Sequence, residues 1–198
     1  MTRQEIKERA RAQLGNKLFG YTWMMALLAC FIFTAITGAA ASVIVGIGAL
    51  IVVGPLTYGL NYMFLKQARE GQPMELGDLF KGFTDDFGGT LLIGLMTTIF
   101  TMLWSLLLIV PGIVKGLGYS MATYIKADYP EYDWKQCIEQ SQNMMRGHKG
   151  ELFMLYLSFI GWLLVGALCA GIGTLWVVPY IQASEAQFYE SIKSYVIG

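Results

Sequence analysis

Charge is what this chain has least of. Only 14% of its residues are Asp, Glu, Lys or Arg, against roughly 25% in a soluble domain, while 55% are hydrophobic. So little polar surface cannot cover the chain in water. The charges that exist cancel, 14 basic against 14 acidic, which leaves no basic excess for a general nucleic-acid binder. There is one histidine, His148, and the cysteines Cys30, Cys137 and Cys169 are far apart with no CxxC. Neither a zinc site nor a disulfide framework is indicated, and all three cysteines read as small apolar residues. HExxH, GxSxG and facing carboxylate pairs are also missing, so the sequence points to no enzyme and calls for no cofactor or metal.

What the chain has instead is long uncharged runs. From Leu152 to Ser184 no side chain carries a formal charge, well beyond the roughly 20 residues that one membrane crossing needs. Two helices turning at Ala170-Gly171-Ile172-Gly173-Thr174 are the economical reading. Leu18 to Leu65 is likewise uncharged and fits two helices joined near Gly38-Ala39-Ala40-Ala41-Ser42. A cleavable signal peptide is the rival there, but the apolar core is too long for one and a second apolar stretch follows at once. Phe87 to Ala127 supplies a third pair, about 61 Å as helix, turning at Pro111-Gly112, with Lys115 in its short second limb.

Polar segments precede each pair. In Thr2 to Lys17, Thr2 and Glu5 are spaced as a capping box and Ile6, Ala10 and Leu14 form one stripe. Arg3, Lys7 and Arg11 line another side, suiting a helix on an anionic membrane surface or a solvated helix that fixes orientation. In Lys66 to Asp86, Leu76, Leu79, Phe80 and Phe83 fall at i, i+3, i+4 and i+7, the spacing of a short amphipathic helix. In Asp128 to Gly150, Asp133 and Gln136 form a capping pair and Gly147 a stop. Trp134, Cys137, Ile138, Met144 and Met145 give that segment its apolar stripe.

Of the Lys and Arg residues only Lys115 falls near the proposed outer side, which places both termini in the cytoplasm of a multi-pass protein of the cell membrane. A five-span layout would put Arg146, His148 and Lys149 outside, against the charge rule. The expected fold is therefore an all-α membrane protein: six transmembrane helices as three helical hairpins, with short interfacial amphipathic helices between them. It forms a single polytopic domain over 1–198, with pseudo-repeat units 1–69, 70–128 and 129–198. Each unit carries Val-(Gly)-Pro in the second half of its hairpin, so Pro55, Pro111 and Pro179 are candidate helix breaks.

A resemblance rests on particular residues. Ser141 to Trp162, Gly171 to Tyr180 and Phe188-Tyr189-Glu190 carry it. So do Leu107 to Ile113, Tyr119-Ser120-Met121, and Asp78-Leu79-Phe80 with Gly82-Phe83. On these motifs the chain resembles the bacterial integral-membrane family known as domain of unknown function 975. The resemblance implies a polytopic helical protein of the cell membrane and brings no activity and no site residues with it.

Candidate residues then follow from physics. Asn61 and Glu185 each lie six positions after a proline, and ionisable groups inside a membrane are costly and often functional. Glu185 could pair with Lys115 while Asn61, Tyr119, Ser120 and Gln182 supply hydrogen bonds; anchoring at helix ends explains the same residues. Arg146, His148 and Lys149 could hold a lipid headgroup or an acidic partner, or serve as a topological anchor. Three functions are open: a non-enzymatic module that binds membrane lipids or another membrane protein, a carrier for a small amphipathic solute or lipid, and an intramembrane enzyme. The first asks for no chemistry beyond what the residues offer.

Overall fold

The computed structural model describes residues 2–15, 20–43, 47–71, 73–168 and 172–193; the side chains of 39–43, 47–50, 107, 109, 165, 167, 168, 172 and 175 lie outside that description. Every regular element among the described residues is helical. The order is α1 (Arg3–Gln13), the pair α2 (Tyr21–Val43) and α3 (Ile47–Glu70), and a 3-10 turn (Leu76–Phe80) running into α4 (Lys81–Thr84). Then come the pair α5 (Phe87–Leu107) and α6 (Ile109–Tyr119), short α7 (Ala122–Asp128) and α8 (Trp134–Met144), and the pair α9 (Lys149–Leu168) and α10 (Ile172–Lys193).

Local signals hold well. The Glu5 N–H donates to Thr2 Oγ1 and the Thr2 N–H to Glu5 Oε2, closing the expected box at α1. Ile6, Ala10 and Leu14 are buried as their spacing requires. Asp133 and Gln136 cap α8 in the same way, and Gly147, at φ +85, turns the chain from α8 into α9.

The second pair departs from expectation. The chain turns at the extended Leu108 rather than at Pro111-Gly112, and Pro111 sits in the first turn of α6, where no N–H is needed. The return limb is not one helix. The 11 residues of α6 span about 16 Å, and the chain breaks at Ser120-Met121 before α7. Pro55 and Pro179 lie inside the continuous α3 and α10 instead of ending a helix. Gly38 to Ser42, expected to turn, still belongs to α2; the connections at 44–46 and 169–171 fall outside the described residues.

By length and composition two helices among the described residues can cross a membrane, Tyr21–Gly38 and Phe87–Leu106. Only 22% and 11% of these windows is buried inside the protein, unlike the core helix of a soluble domain. Of the other expected spans, α6 has only 11 residues, while α3, α9 and α10 each include residues whose side chains lie outside the description.

Those C-terminal halves form the core. Leu56, Met63 and Phe64 of α3 and Ala183, Phe188 and Tyr189 of α10 are buried, and α1 is latched to both helices through glutamines. Gln13 Nε2 donates to the Phe64 carbonyl, Gln67 Nε2 to the Gln13 carbonyl and Gln187 Nε2 to Gln13 Oε1, each at 2.9 Å. Lys7, expected on the surface-facing side with Arg3 and Arg11, instead donates to the Ser158 carbonyl and sits 4.2 Å above the Phe159 ring.

Close backbone approach fixes the rest. A Cβ at Gly59 would strike the Leu79 carbonyl, and one at Gly82 the Pro55 backbone, so the segment 76–84 lies directly across α3. Leu79 is buried beneath it while Phe80 is exposed. A Cβ at Gly54 would lie 3.3 Å from the Gly94 Cα, so α3 and α5 cross at two glycines. Gly59→Ala should therefore lower stability by about 1–3 kcal/mol, because neither backbone can move aside. Gly150→Ala, where a Cβ meets nothing within 4 Å, should leave it unchanged or slightly raised. Thermal unfolding of the detergent-solubilised protein compares the two.

Candidate functional site

Two polar assemblies sit where the helices converge. The larger is built on Asp128 at the end of α7, whose side chain is 2% exposed. Arg69 from α3 grips it in bidentate fashion, with Nη1 to Oδ1 at 2.5 Å and Nη2 to Oδ2 at 2.7 Å. Lys193 and the Tyr189 hydroxyl, both from α10, reach Oδ2 at 2.6 and 2.7 Å. Arg69 also donates to Glu190, so the ends of three helices share one ionic knot. Beside it Lys126 is buried and fully partnered, by Asp86 at 2.6 Å and by the carbonyls of Pro130 and Tyr132. Asp86 in turn caps α5 through the Gly89 N–H.

The smaller assembly lies higher on α10. Glu185 accepts a hydrogen bond from the Tyr156 hydroxyl of α9 at 2.9 Å, and the Tyr124 hydroxyl of α7 stands 3.5 Å away. Among the described residues no Lys or Arg forms an ion pair with it. One turn earlier, Gln182 Oε1 is buried with no hydrogen-bond partner among the described residues. That combination is costly in a low-dielectric interior.

The sequence-derived candidates separate into groups. Gln182 and Glu185 share α10 as expected, and Asn61 is buried in α3. Lys115 does not pair with Glu185. Its ammonium lies 5.0 Å over the Trp104 ring, and Tyr119 packs against Phe100. His148 Nδ1 lies 3.1 Å from Glu151, Arg146 is exposed, and Lys149 folds back against Gly118 of α6. Sequence reasoning missed Asp128, Lys126, Tyr124 and Tyr156; the ordinary appearance of charges and tyrosines near helix ends gave no signal of their pairing.

The charged groups of the larger assembly are satisfied by one another. Among the described residues no set of three His, Cys, Asp or Glu side chains could ligate a metal. Burial pushes the Asp128 carboxyl up, but the bonds from Arg69, Lys193 and Tyr189 outweigh it and hold the group below its ordinary value. Asp86 is likewise lowered, by Lys126 and the Gly89 N–H. A carboxyl depressed in the fold contributes stability above its unfolded value and loses it as pH falls through the folded value. These two groups should thus make the melting temperature fall as pH drops below about 4. In Asp128→Asn it should be lower throughout with a shallower acid slope.

Residues 106–195 match the family described as "Protein of unknown function (DUF975)". No curated protein and no solved structure matches the chain. The matched stretch takes in α6 to α10 and with them Asp128, Glu185, Lys115 and Lys149, while Asp78-Leu79-Phe80 precedes it. That stretch, which begins in the last turn of α5, is what the chain shares with a family of unknown function.

Proposed function

We propose that the protein is a non-enzymatic module of the cell membrane. Its six paired helices are inserted as three hairpins, and its termini and polar connectors stay on the cytoplasmic side. The observation that carries this reading is the placement of exposed apolar bulk. Around the turn of the second pair, Met102, Leu106, Leu108 and Val110 are between 63% and 84% exposed, and near the end of α9 Trp162 is 61% and Leu164 62% exposed. The ionised groups gather instead at the opposite ends of α3, α7 and α10. Water would penalise such ends, and hydrocarbon solvates them. The long α2, α3, α5, α9 and α10 have the length to cross, whereas α6 alone reaches about half of a roughly 30 Å core. Such a module works by binding lipids or another membrane protein.

The test is orientation-specific labelling. With the native cysteines replaced, His148→Cys and Asp78→Cys should resist an impermeant thiol reagent added to intact cells and react once the membrane is opened. Labelling from outside would overturn the layout, and release of the protein by alkaline carbonate would overturn membrane insertion itself.

A second reading, a carrier, draws on the uncompensated Glu185 and the unpartnered Gln182 Oε1. It requires Glu185→Gln to abolish movement of a fluorescent phospholipid across reconstituted vesicles while melting stays cooperative. Equal movement with and without the substitution, or none in the parent, excludes it for that lipid.

A further inference from the structure

Lys115 and the Arg146–Lys149 stretch are far apart in sequence, on different helices, and the charge pattern assigns them to opposite sides of the bilayer. The fold brings them together. Gly118 lies one turn from Lys115 on α6, and a Cβ placed there would sit 3.3 Å from both Cε and Nζ of Lys149. The Ser141 hydroxyl of α8 donates to the Gly118 carbonyl at 2.8 Å, clamping the end of α8 against α6. Gly147, with its left-handed backbone, makes the turn between Arg146 at the end of α8 and Lys149 at the start of α9. Burial first, and then the neighbouring Lys115 and Arg146, lower the pKa of the Lys149 ammonium, as expected where cations crowd one another.

No carboxylate answers this charge. Among the described residues none of Lys115, Arg146 and Lys149 forms an ion pair, and the nearest acidic group along the chain, Glu151, faces His148. Elsewhere the chain neutralises cations, the buried Lys126 by Asp86 and the exposed Arg69 by Asp128, so three crowded and unmatched cations stand out. The surroundings are greasy as well as basic: Val114 of α6 and Phe153 and Met154 of α9 are exposed beside the cluster, and Lys115 rests over Trp104.

We propose that Lys115, Arg146 and Lys149 form a binding site for the phosphodiester of an anionic phospholipid, whose acyl chains run along the exposed apolar faces of α6 and α9. This rests on the membrane reading above and specifies its lipid. Basic pockets between membrane helices on the cytoplasmic side are suited to such headgroups, and charge complementarity selects an anionic lipid over a zwitterionic one. The apolar rim selects a lipid over free phosphate. The site also removes the exception to the charge rule, because Lys115 joins the cations of the α8–α9 turn.

Native mass spectrometry of the full-length protein in mild detergent, titrated with phosphatidylglycerol, phosphatidylcholine or inorganic phosphate, tests the site. Phosphatidylglycerol should be retained in preference to phosphatidylcholine, and each of Lys115→Gln and Lys149→Gln should weaken it about fivefold. Lys115→Arg with Lys149→Arg should keep the preference, which separates loss of charge from loss of fold. Lys7→Gln, at the basic helix α1, should leave it unchanged. Equal retention of the two lipids, indifference to both glutamine variants, an equal loss from Lys7→Gln, or full displacement by inorganic phosphate would each overturn the site. Failure to float with vesicles would instead remove the membrane reading on which the site depends.

Discussion

An ionised carboxylate shut away from water is costly unless it is matched by charge, and Asp128 is where this chain supplies the match. Its two oxygens are shared among Arg69, Lys193 and Tyr189, which come from two different helices. Removing a partner from such an arrangement leaves a buried ion uncompensated, a far larger penalty than the net worth of the pair. The ends of α3, α7 and α10 are therefore held in register by a condition that none of them satisfies alone. Gathering the ionised groups at this end also leaves the opposite ends free to be wholly apolar, as Leu106 and Trp162 show.

Much of this was legible in the sequence, and what was missed shares a cause. Short-range signals survived: the boxes at Thr2 and Asp133, the stripe through Ile6, Ala10 and Leu14, and the stop at Gly147. Each depends on residues a few positions apart. The ionic knot joins residues separated by 59 and 121 positions, and no local pattern distinguishes Asp128 or Glu190 from other charges near helix ends. Pro111 misled because a proline is equally at home in a turn and in the first turn of a helix. Lys115 misled for a related reason: counting residues along an assumed full-length span placed it far from Lys149, whereas α6 is short and its end is clamped to α8. Glu185 was found from the cost of a buried carboxylate, but its partners Tyr156 and Tyr124 could be found only in three dimensions.

Glycine and polar residues divide the labour of holding helices together. Where Gly54 meets Gly94, and where Gly166 meets Gly173, backbones touch and dispersion does the work. Where α1 meets α3 and α10, side-chain amides do it, and where α7 meets α5 a single lysine does. The first device tolerates an apolar surrounding; the second needs partners already in place.

That need gives the glutamine latch a consequence for biosynthesis. Gln13 and Gln187 are 174 positions apart, yet the amide of one is completed by the other. The ribosome delivers α1 and α3 long before α10 exists, so the first helix made can meet α3 early but lacks its second partner until the last helix has been translated. Closure of the bundle is then a late event, and a nascent chain interrupted before α10 leaves the Gln13 side-chain oxygen without the amide that completes it.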